Sequence, residues 1–89
     1  MMLPRELMAR VDAAIDAISP ILAGEDPGTQ GTILAGLVAM WIAGFQGKRD
    51  MPTSDLRAAL LREHRNVVQE LIRLYDQLRE QRDRQTALH

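Results

Sequence analysis

Apolar positions along this chain fall into three blocks with different periods. In the first, Leu7, Met8, Val11, Ala14, Ile15 and Ile18 share one helical face, while Arg5, Arg10, Asp12 and Asp16 lie largely on the other. That pattern predicts helix 1 over about 4–22, with Pro4 suited to a first turn. Pro20 lacks an N–H, so a kinked last turn closed by Gly24 is expected.

The second block carries no charge between Asp26 and Lys48. Small residues recur there at every fourth position: Gly31, Ala35, Ala39, Ala43 and Gly47. Ile33, Leu34, Leu37, Val38, Met40, Trp41, Ile42 and Phe45 fill the places between them. Positions four apart stack on one face of a helix, so helix 2 should be apolar all round with a smooth groove. Asp26 is a good N-cap and Pro27 a good first residue, which sets helix 2 at about 27–46, with Gly47 as the stop.

The third block is the longest. Leu60, His64, Val67, Leu71, Leu74 and Leu78 are spaced as the a and d positions of a heptad repeat, and Leu61, Val68, Ile72 and Tyr75 widen that seam into a stripe. Thr53 or Ser54 can cap this helix, Asp55 suits its first turn, and no Gly or Pro follows Thr53. Helix 3 is therefore expected over about 54–84, with 85–89 as a frayed polar tail. No strand pattern is visible. The fold class is all-α: one three-helix domain over 1–89 whose long third helix dimerises into a helical bundle.

Length drives the dimer expectation. Helix 3 would extend roughly 45 Å, against about 25–30 Å for each of the others. The surplus would leave Leu71, Ile72, Leu74, Tyr75 and Leu78 wet, forfeiting about 1.5–3 kcal/mol for each large aliphatic group. A second copy would cover them. The expected self-interface is Leu60, His64, Val67, Leu71, Ile72, Leu74, Tyr75 and Leu78. Trp41 is the residue expected to anchor a foreign protein, if helix 2 is open on one side.

Composition narrows the function classes. A chain of 89 residues buries little surface alone and gains from association. With 3% aromatic residues the core must be aliphatic. The absence of cysteine removes disulfides, thiolate metal sites and cysteine catalysis, and with the charged first ten residues points to a cytoplasmic protein. Ten of eleven basic residues are arginine, a composition suggesting a GC-rich bacterial or phage source.

Other candidate chemistries have plainer structural roles. His64 could serve as a pH switch or share a metal across a dimer seam, but Leu61 stands where a Glu-x-x-His pair would need its carboxylate, so a structural seam histidine is preferred. The seven arginines of helix 3 (Arg57, Arg62, Arg65, Arg73, Arg79, Arg82, Arg84) face six carboxylates, leaving +1, which makes an RNA- or DNA-binding dimer an alternative rather than the main reading. The uncharged 27–47 segment allows a second alternative, a small single-span membrane protein of phage-lysis type, although its dense apolar part is short of the about 20 residues a span needs. Ser19 and Ser54 sit beside expected helix ends, where capping explains them, and no Ser, His and Asp set can be assembled. The sequence thus predicts a small helical protein–protein interaction module, an adaptor, regulator or inhibitor acting as a homodimer, with no enzymatic activity, cofactor or metal.

Overall fold

The computed structural model describes residues 4–87. Three helices account for most of them: α1 (Arg5–Leu22), α2 (Pro27–Ala43) and α3 (Thr53–Ala87). Among the described residues there is no strand, only one isolated antiparallel bridge between Lys48 and Met51. Two units divide the chain, residues 1–41 and 42–89.

In the first unit, Pro4 has extended backbone and precedes α1, and its carbonyl accepts from the Met8 N–H at 3.0 Å. In α1, Met8, Val11, Ile18 and Leu22 are the half-buried positions, at heptad-like spacing on the face the sequence marks as apolar. The helix continues through Pro20, which removes the N–H that would meet the Asp16 carbonyl. Ser19 lies inside this helix rather than at its end, and its hydroxyl donates to the Ile15 carbonyl at 2.7 Å.

The end of α1 differs from the glycine closure expected of Gly24. No described glycine adopts a positive φ, and Ala23 stays in the right-handed region. The Leu22 carbonyl instead accepts from the Glu25 N–H at 3.0 Å and from the side-chain amide of Gln30 at 2.8 Å. Gln30 reaches back from the first turn of α2, so the left-handed turn is not needed to satisfy that carbonyl.

Asp26 caps α2 as its residue type predicts. Its Oδ1 accepts from the Thr29 N–H and its Oδ2 from the Thr29 hydroxyl, both at 2.9 Å. Its carbonyl accepts the first helical bond, from Gln30 N–H at 2.9 Å. No charged residue occurs in the 17 residues of α2. Leu34, Leu37, Met40 and Trp41 are all exposed, Met40 by 76%. Among the described residues no helix is long and apolar enough to cross a membrane, which leaves the single-span alternative without a helix to carry it.

The Thr29 N–H and hydroxyl hold the Asp26 carboxyl below the ordinary aspartate range. A carboxyl with a lowered folded pKa adds stability that is full above its unfolded pKa and is lost as pH falls through the folded value. Thermal melts followed by circular dichroism between about pH 6 and pH 2 should therefore show a larger loss for wild type than for Asp26→Asn, which keeps a capping side chain without the titration. Equal losses would remove the cap from the account.

Candidate interaction surface

The second unit begins with Ile42 and Ala43, the last residues of α2, and continues through a nine-residue connector into α3. Helix α2 stops at Ala43, three residues before the expected Gln46. Gly44 follows directly, and the chain tightens there as the Phe45 N–H bonds to the Ile42 carbonyl at 3.1 Å. Two of the freed carbonyls are taken by one side chain. Arg57, in the first turns of α3, donates through Nη2 to Ala43 at 2.8 Å and through Nε to Phe45 at 3.1 Å. A planar guanidinium with several fixed donors suits that double acceptance, and its charge suits a helix C-terminus.

Gly47 closes the connector. Its N–H donates to the Thr53 hydroxyl at 3.0 Å, so Thr53 turns back to the connector instead of capping α3. A β-carbon at Gly47 would lie 2.1 Å from the Met51 carbonyl oxygen and 2.5 Å from the Thr53 nitrogen. The position is therefore closed to any side chain by backbone, independently of φ. A shallow open hollow beside it is lined by Gln46, Gly47, Lys48, Asp50, Met51 and Leu56. It collects no set of nucleophile, base and acid.

Beyond this joint, α3 runs 35 residues without interruption, about 52 Å at 1.5 Å per residue. It extends past the expected Arg84 through Ala87, so residues 85–87 of the expected frayed tail are helical and His89 lies outside the described residues. Arg84 Nε and the Thr86 hydroxyl donate back to the Glu80 and Arg82 carbonyls in that last stretch.

The apolar residues of α3 separate into two adjacent lines. Leu60, His64, Val67, Leu71 and Leu74 are all half-buried. One position further on, Leu61, Val68, Ile72 and Tyr75 are exposed by 49, 39, 54 and 38%, and Leu78, at the end of the first line, by 50%. Neighbouring positions are about 100° apart on a helix, so the second line is a distinct, more open edge of the stripe. Of the residues expected at the self-interface, Ile72, Tyr75 and Leu78 belong to this open part. Leu61 and Val68 belong to it too; periodicity placed them only as a widening of the seam. Trp41, at the end of the first unit, is 45% exposed.

The polar side of α3 is mixed in sign. Arg73 pairs with Glu70 at 2.7 Å and Arg79 with Asp76, both three residues apart. Such solvated pairs contribute at most about 1 kcal/mol each, and they answer two arginines that a nucleic-acid face would direct at phosphates. Among the described residues no three His, Cys, Asp or Glu side chains gather as a metal site. No described side chain is fully buried, so the apolar content of the chain is held largely at its surface. Compared with protein families, with characterised proteins and with solved structures, the chain shows no significant match.

Replacing Arg57 by Ala should cost about 1–2 kcal/mol in urea unfolding, because two carbonyls lose a charged donor. Lys at this position should recover less than half, since a single ammonium cannot repeat the fork. Gly47→Ala should cost roughly 1–3 kcal/mol through backbone displacement. Wild-type midpoints for both Arg57→Ala and Gly47→Ala would show that the joint is not held in this way.

Proposed function

We propose that this chain is a small helical protein–protein interaction module that works as a homodimer, pairing through α3 and offering α2 to a protein partner as an adaptor, regulator or inhibitor. The observation that carries the reading is the open apolar edge of α3, which extends from Leu61 to Leu78, over about 25 Å. Burying a Leu or Ile is worth about 1.5–3 kcal/mol, so five large apolar groups held open on one face are a strong drive to association. The self-interface in this reading centres on Ile72, Tyr75 and Leu78, the open members of the expected set, joined by Leu61 and Val68; the half-buried Leu60, His64, Val67, Leu71 and Leu74 flank them. The exposed members supply most of the area that can still be removed from water.

Trp41 has the second role. It is the single tryptophan, exposed, on a helix with no charge to repel an apolar surface. Buried aromatic anchors of this type dominate the energetics of protein interfaces. No catalytic chemistry, cofactor or metal enters the reading.

Light scattering coupled to gel filtration tests it. The wild-type protein should give twice the 10.0 kDa mass of the chain at micromolar concentration. Ile72→Glu places a charge on the open edge and should return the mass to that of one chain with its helical circular dichroism retained. A wild-type monomer would overturn the homodimer. A wild-type dimer unaffected by both Ile72→Glu and Leu74→Glu would move the interface away from α3.

A further inference from the structure

The open line on α3 also determines which way a second copy can lie. Resting on the homodimer reading, we infer that two α3 helices pair antiparallel through the line Leu61, Val68, Ile72 and Tyr75, with Arg62 of each copy opposite Asp76 of the other. The line has its own heptad spacing: positions 61, 65, 68, 72, 75 and 79 are separated by 4, 3, 4, 3 and 4. Arg65 and Arg79 occupy the two positions in it that are not apolar.

A parallel pair in register sets every residue of the line against its own copy. It would therefore place Arg65 against Arg65 and Arg79 against Arg79 within the contact. Like charges brought together while being desolvated oppose association. A staggered parallel pair avoids this only by giving up the two-fold symmetry that closes a homodimer.

Antiparallel pairing about a point near Glu70 removes both conflicts. Val68 of one copy then meets Ile72 of the other, twice. Arg65 meets the ring of Tyr75, an arrangement that attracts a guanidinium. Arg79 meets Leu61, with its aliphatic stem as the contact and its head held outward by Asp76 of its own helix. Along the flank, positions 62, 69 and 76 lie one residue after 61, 68 and 75, and reversal of the second helix brings Arg62 beside Asp76 at both ends. The helix dipoles also oppose each other in this arrangement.

The chain has no cysteine, so one introduced at Ser54, which is exposed near the start of α3, carries a single spin label per copy. Pulsed dipolar spectroscopy on the full-length Ser54→Cys protein should give a distance of about 50 Å for the antiparallel pair, because residue 54 then lies opposite residue 86 of the second copy. A parallel pair would give about 10–20 Å. Charge exchange tests the register: Arg62→Asp and Asp76→Arg should each weaken dimerisation about tenfold, and the double variant should recover it. A dimer by light scattering with the short distance would overturn antiparallel pairing alone. A long distance with no recovery in the double variant would overturn the Arg62–Asp76 register. A monomeric mass, with no dipolar coupling, would overturn the homodimer and this inference together.

Discussion

A helix of 35 residues with no glycine or proline after Thr53 has no place to fold back, and its apolar stripe must be dealt with along one continuous helix. That constraint governs the rest. Backbone hydrogen bonds keep α3 helical at low cost to its end, while the stripe on one side remains a debt to solvent. The second unit supplies a well-tied joint at the start of this helix, where Arg57, Thr53 and Gly47 bind the connector to it. Among the described residues it supplies nothing comparable at the far end. Further along the helix, the described ion pairs are local and solvated, Arg73–Glu70 and Arg79–Asp76.

The two connectors satisfy helix ends by the same means. At the end of α1, Gln30 reaches back to Leu22; at the end of α2, Arg57 reaches back to Ala43 and Phe45. In each case a long polar side chain from the next helix replaces the left-handed glycine that commonly closes a helix. The second case is the stronger, because it uses a charged donor and two acceptors.

What could be read from the residues follows from the range of the interactions. The Asp26 cap, the charge-free second helix and the continuity of the third are set by neighbours within a few positions, and those elements match the spacing rules. Local spacing puts the end of α2 at Gln46 and the structure ends it at Ala43, because Arg57, fourteen residues further on, takes the Ala43 carbonyl, and because Gly44 and Gly47 are equally good stops on local grounds. Residue type makes Thr53 or Ser54 a cap, but the Thr53 hydroxyl accepts from the Gly47 N–H. The candidate surface was half legible. A period of 3.5 finds the stripe, yet two seams offset by one residue share that period, and only exposure separates Leu60, Val67 and Leu74 from Leu61, Val68 and Tyr75.

The uncharged second helix has a consequence for handling as well as for recognition. With a net charge of −1, the molecule has almost no long-range Coulombic barrier to keep copies apart in dilute buffer. Over α2 not even a local charge interrupts the apolar surface, and Met40 and Leu37 meet water directly. Colloidal behaviour is then set by sticky surface rather than by electrostatics: cosolutes that solvate hydrocarbon will disperse the protein, and strongly salting-out anions such as sulfate will precipitate it early.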